Sequence, residues 1–64
     1  SPQCFAMVKE GRAVVVDYKF GLRENPDHRR QLGEYIELLR EIGYTQVEGY
    51  LWYVRMERIV SIDG

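Results

Sequence analysis

Residues 13–20 read Ala-Val-Val-Val-Asp-Tyr-Lys-Phe, and no other stretch limits the possible folds as tightly. Three consecutive β-branched valines favour extended backbone, and an unbroken apolar run is the pattern of a strand covered on both faces. The stretch is expected to form a central strand. Side chains alternate along a strand, so Asp17 and Lys19 share one face about 7 Å apart while Tyr18 points to the other. This acid and base lie where the apolar run stops, at the carboxyl end of the strand, where open α/β sheets place their ligands.

The rest of the chain supplies partners for that strand. Cys4 to Val8 is a short apolar run, and Lys9-Glu10-Gly11-Arg12 is a polar turn with glycine, so residues 4–19 read as a β-hairpin. Gly21 to Asn25 is a polar loop. Asn25-Pro26 marks a helix start, with Asn25 as cap, Pro26 in the first helical position and Asp27 near the positive helix end. Leu32, Tyr35, Ile36, Leu39 and Ile42 recur at helical spacing, which predicts a helix over 26–42 with this stripe on the sheet. Arg30, Glu34, Glu37 and Glu41 then face outward, and Gly43 closes the helix in the left-handed conformation. Gly33 inside the helix costs about 1 kcal/mol relative to alanine, or marks a close approach by another backbone.

Residues 47–55, rich in aromatic and branched side chains, predict a second covered strand, and 58–62 a short final strand after a turn around Met56-Glu57. The connection through the helix is long enough for a crossover that sets the two covered strands parallel. The expected fold class is α/β: a mixed three- to four-stranded sheet made of a β-hairpin, a crossover helix, a parallel strand and a short final strand. One helix covers only one face. Tyr18, Tyr50 and Trp52 are expected on the other, to be covered by a further helix or by a second copy of the chain.

Sixty-four residues make at most one domain, here expected to be a single partial one, either a fragment or part of an oligomer. Cys4 is the only cysteine, which excludes an internal disulfide, and with His28 as the only histidine it cannot build a cysteine-rich zinc site. The apolar runs are too short for a bilayer span or a signal peptide, so a cytoplasmic protein with no membrane partner is expected. Nine basic against ten acidic residues argue against binding duplex DNA through overall charge. Any nucleic-acid contact must be local. His28, Arg29 and Arg30, with Lys19 and Arg23 shortly before, form the candidate cluster; the alternative is a solvated helix start.

Asp17-Tyr18-Lys19 on a strand, followed by Gln31-Leu32-Gly33-Glu34-Tyr35 on the next helix, resembles the PD-(D/E)XK nuclease superfamily. The likeness is to its RecB-like nuclease domains at the carboxyl end of UvrD-type helicases, and it runs from Val14 to Val54. The resemblance implies a partial restriction-endonuclease-like core, a DNA exonuclease module hydrolysing phosphodiester bonds, magnesium or manganese as cofactor, and an upstream helicase region as partner alongside DNA. By the same resemblance Asp17 and the backbone carbonyl of Tyr18 bind the metal. Lys19 positions the attacking water or stabilises charge on the phosphate, while Gln31 and Tyr35 support the active site or the DNA. His28, Arg29 and Arg30 would touch phosphates from the helix start.

The pattern is incomplete. Members of the superfamily carry a second acid on the preceding strand, yet no Asp or Glu precedes Glu10, and the expected place falls near Gln3 or Cys4. The isolated chain is therefore expected to be inactive within a parent that is a nuclease. The competing expectation is a non-catalytic docking or oligomerisation module with a degenerate nuclease fold. In that case Asp17 and Lys19 are a strand-end ion pair, Tyr35 is core, Cys4 is a small buried hydrophobe, and Tyr50, Trp52 and Tyr53 pack or form an interface.

Overall fold

The computed structural model describes residues 3–62. It contains strands β1 (Cys4–Lys9) and β2 (Arg12–Lys19), helix α1 (Pro26–Glu41), strand β3 (Gln46–Tyr53), a single 3-10 turn at Val54–Met56, and strand β4 (Arg58–Ile62). The four strands form one sheet in the order β1-β2-β3-β4. β2 and β3 are parallel, and β1 and β4 run antiparallel to their neighbours. This is the α/β class with a mixed sheet that the sequence predicts, and β2 lies inside it.

Local chemistry explains the boundaries. The hairpin turn is two residues long, and both Glu10 (φ 51) and Gly11 (φ 79) have the positive φ that a tight hairpin turn of the I′ type requires. The Gly11 carbonyl then accepts from the Thr45 backbone N–H at 2.9 Å and from the Thr45 hydroxyl at 3.3 Å, which ties the hairpin to the segment entering β3. At the helix start Asn25 is extended (φ -135, ψ 131) and its side chain accepts from the Asp27 N–H at 2.9 Å. At the other end Ile42 is the cap and Gly43 takes φ 116, so the helix stops one residue before the predicted end.

β3 differs more from expectation. The predicted strand over 47–55 lies at 46–53, and Val54 and Arg55 belong to the 3-10 turn, closed by Glu57 in the left-handed region (φ 51). The chain must reverse here to bring β4 back antiparallel, and the turn uses residues whose side chains alone read as strand.

The register sorts side chains between the two faces. Ala13, Val15, Asp17 and Lys19 on β2 and Val47, Gly49, Leu51 and Tyr53 on β3 are paired in register and share the helix side. There they meet Leu32, Ile36 and Leu39, and Ile62 completes the core. A Cβ on Gly49 would collide with Ile36 Cδ1 and lie 3.1 Å from its Cγ1, so glycine is what lets the helix seat on the sheet. Gly33 has no such reason: among the described residues nothing lies within 4 Å of the position its Cβ would take, so none of them makes the close approach considered above. The apolar stripe is also narrower than its spacing implies. Tyr35 is 41% exposed and Ile42 65% exposed, and Leu32, Ile36 and Leu39 alone of the stripe are buried.

The opposite face carries Phe5, Met7, Val14, Val16, Tyr18, Phe20, Tyr50, Trp52 and Ile59, none of them fully buried. Among the described residues this face has no covering element, so β2 is covered on one side rather than on both.

Candidate functional site at the carboxyl end of the parallel strands

Asp17 and Lys19 are the last inward-facing residues of β2, and the structure brings their charges together. Lys19 Nζ lies 3.3 Å from Asp17 Oδ1, and both side chains are largely withdrawn from solvent. Asp17 is 7% exposed, and it is the buried charged residue among those described. Its Oδ1 contacts Lys19 at a distance but not at hydrogen-bonding geometry, which leaves a buried carboxylate oxygen without a hydrogen bond. Such an orphaned acceptor is costly, and sites of this kind call for a cation or a donor.

Four neighbours frame the pair. Cys4 faces Asp17 directly across the hairpin, half-buried rather than fully buried. Burial pushes its thiol up, the Asp17 charge adds to this and Lys19 opposes it, so the sulfur stays protonated near neutrality. Leu51 faces Asp17 from β3, and Tyr53 faces Lys19. Tyr18 lies on the far side, where its ring packs with Phe5 and Phe20 at 6.1 and 5.8 Å between centroids, leaving only its backbone near the site. Its N–H donates to the Gln3 carbonyl at 2.8 Å.

His28 reaches the same sheet end from the first turn of α1. Its Nδ1 lies 3.0 Å from the Tyr53 hydroxyl, with ring centroids 5.7 Å apart. Tyr53 is 1% exposed, and burial holds its hydroxyl above the usual phenol range; a bond from the Asn25 backbone opposes the shift, and the charges of Glu24 and Asp17 add to it. Its aromatic strand gives no sign in the sequence of which hydroxyl lies under the helix start; that depends on the parallel register.

The other predicted residues are more dispersed. Arg30 is engaged along the helix surface, 3.0 Å from Glu34 and 3.5 Å from Asp27. Arg29 is exposed beside it. Gln31 and Tyr35 are both exposed, one helical turn apart, and among the described residues no hydrogen bond joins either to Asp17 or Lys19. Gly21 to Pro26, with His28 and Arg55, line an open cleft beside the helix start that also contains Arg23 and Glu24. Arg55 enters the site region only through the 3-10 turn, which is why a strand reading of 47–55 does not place it there.

The donor set limits what this end can hold. Among the described residues no group of three or more His, Cys, Asp or Glu is arranged around a common point. The orphaned oxygen of Asp17 suits a cation, but this carboxylate is already offset by Lys19 and its hairpin neighbour is a neutral thiol. Magnesium needs hard oxygen donors in nearly octahedral array. These residues do not by themselves fit it.

No family model matches the chain, and no solved structure matches it. Over 62 residues it is 37% identical to the CRISPR-associated exonuclease Cas4/endonuclease Cas1 fusion of Rhodospirillum rubrum, a stretch covering 88% of this chain and 11% of that protein. The CRISPR-associated exonuclease Cas4 of the same organism is 37% identical over 62 residues, 88% of this chain and 19% of that protein. The SsrA-binding protein of Geotalea uraniireducens is 35% identical over 63 residues, 77% of this chain and 42% of that protein. The chain thus spans under a fifth of the two exonucleases and under half of the third relative. Neither exonuclease is named as a helicase. What the similarity supports is a relation to nucleases of the Cas4 exonuclease kind.

Proposed function

We propose that these residues are part of a DNA exonuclease module that hydrolyses phosphodiester bonds in the full-length protein, and that the 64-residue chain alone is inactive. The observation that carries this reading is the buried Asp17 carboxylate beside Lys19 at the carboxyl end of β2, within a chain similar to two named exonucleases. Asp17 holds the Lys19 ammonium at the sheet end, and the lysine remains 24% exposed along its side chain. An ammonium so fixed can orient a water or stabilise charge developing on a phosphate oxygen. Arg29 at the helix start, with Arg23 and Arg55 around the adjoining cleft that His28 also lines, supplies positive charge along which a DNA backbone can run.

In this reading the divalent ion, magnesium or manganese, finds only part of its site here, and other ligands come from elsewhere in the protein. The attachment to a helicase region follows from the resemblance in the sequence, and a cytoplasmic location from the single cysteine and the short apolar runs. Among the described residues no helix is long and apolar enough to cross a membrane. Gln31 and Tyr35 form an exposed helix edge for the DNA rather than contacts to Asp17.

The test is degradation of linear DNA by the full-length protein with magnesium or manganese, comparing Asp17→Ala and Lys19→Ala with the native sequence. Each substitution is expected to lower the rate by about 100-fold or more, the scale for removing a positioned charge from a reacting centre. Native rates in both variants would overturn the assignment. The open apolar face favours a second reading, a docking module, and there both variants would assemble normally and no native activity would be found to lose.

A further inference from the structure

We infer that position 4 decides whether this sheet end by itself accepts a hard divalent cation, and that the Cys4 thiol keeps the 64-residue chain, without ligands from elsewhere in the protein, closed to one. The inference rests on the reading of Asp17 as a cation-directed carboxylate and explains why the donor set above falls short.

The hairpin geometry singles out this position. Tyr18 N–H donates to the Gln3 carbonyl, so the pair next to Cys4 and Asp17 is a hydrogen-bonded one. Pairs alternate along an antiparallel ladder, which makes Cys4 and Asp17 a non-hydrogen-bonded pair, the kind whose side chains stand closer, with Cβ atoms about 4.5–5.5 Å apart. Two short side chains at that spacing can hold one ion between them. Position 4 therefore faces Asp17 from the nearest possible place, on the same helix side of the sheet, and only half-buried.

What stands there is the wrong donor. A thiol is soft and must lose its proton to ligate, whereas magnesium and manganese prefer carboxylate oxygen. With sulfur at position 4, the Asp17 carboxylate has Lys19 at 3.3 Å as its ion-pair partner, and Oδ1 is left without a hydrogen bond. An aspartate at position 4 would shift the local balance by one negative charge and supply a second hard oxygen pair. A cation would then satisfy the orphaned oxygen that Lys19 leaves unbonded.

The test measures manganese binding by the 64-residue chain, from the loss of the free-ion paramagnetic signal and by calorimetry. The samples are native chain, Cys4→Ser, Cys4→Asp, and Cys4→Asp combined with Asp17→Asn. Native and Cys4→Ser are expected to show no saturable binding into the millimolar range. Cys4→Asp is expected to bind one manganese at least tenfold more tightly than native, with a thermal midpoint that rises on adding the ion. The added Asp17→Asn is expected to abolish both effects. Native binding as tight as that of Cys4→Asp overturns the inference, and so does a folded Cys4→Asp chain that binds none. If two facing carboxylates prevent folding without the ion, Cys4→Asn supplies a neutral oxygen donor; it is expected to bind manganese more weakly yet measurably, and no binding by a folded Cys4→Asn chain overturns the inference. The readout does not involve DNA. Loss of the nuclease reading in the full-length protein therefore leaves this result to stand or fall separately.

Discussion

Asp17 and Lys19 show how one substitution can distinguish an ion pair from a site under tension. The carboxylate is 7% exposed and one of its oxygens has no hydrogen bond, so removing the ammonium leaves an uncompensated buried charge. Lys19→Met is expected to destabilise the fold by about 1–3 kcal/mol, the cost of stranding a buried acceptor, moderated by the partial exposure of the pair. In an Asp17→Asn background the same change is expected to cost much less. Urea unfolding of the four chains measures this, and equal costs in both backgrounds would show that Lys19 acts through packing of its stem rather than through Asp17. The pairing of these two residues was legible from strand alternation alone. The hairpin also put Gln3 or Cys4 across from Asp17, but Tyr53 was not legible, because it reaches the site through the parallel register, which no local pattern encodes. Tyr35 failed as a core residue because helical spacing says which residues share a broad face, not which of them are buried against the sheet.

At the scale of elements, the glycines separate what packing requires from what it leaves open. Gly49 lies under Ile36 and cannot gain a Cβ without moving a fully buried side chain. Gly33 sits in the middle of α1 with open space around it and carries only the conformational cost of glycine in a helix. Gly33→Ala is expected to raise stability by about 0.5–1 kcal/mol, seen as a higher urea midpoint with an unchanged slope. A loss of stability would mean that the helix meets something at Gly33 other than the described residues. The helix was readable because its signals are local: Asn25 and Pro26 at the start, Gly43 at the end, and an apolar stripe between. The end of β3 was not, because Val54-Arg55 has strand-forming side chains and is turned by the need to return β4 to the sheet.

The whole molecule is a two-layer structure with one layer missing a cover. The helix side holds the small core and the charged end; the other side presents Phe5 at 44%, Met7 at 58%, Phe20 at 48%, Trp52 at 39% and Ile59 at 65% exposure around the half-buried Val14, Val16 and Tyr18. Soluble monomers rarely leave a contiguous apolar area of this kind open, and β1 adds an unpaired edge beside it. The chain is therefore expected to bind an apolar fluorescent dye while still folded. Phe5→Lys and Trp52→Lys together are expected to remove most of that binding, while each lowers stability by less than about 1 kcal/mol, since each side chain has only part of its surface packed against cross-strand neighbours. Dye titration alongside thermal melting measures both quantities. Unchanged dye binding would place the exposed apolar surface elsewhere, and a collapse of the melting midpoint would make these rings part of the fold rather than of a docking face. Carried into the full-length protein, the same pair separates the two layers in function. A face used for assembly loses its partner when charged, whereas a centre built on Asp17 and Lys19, on the opposite side of β2, keeps its local geometry.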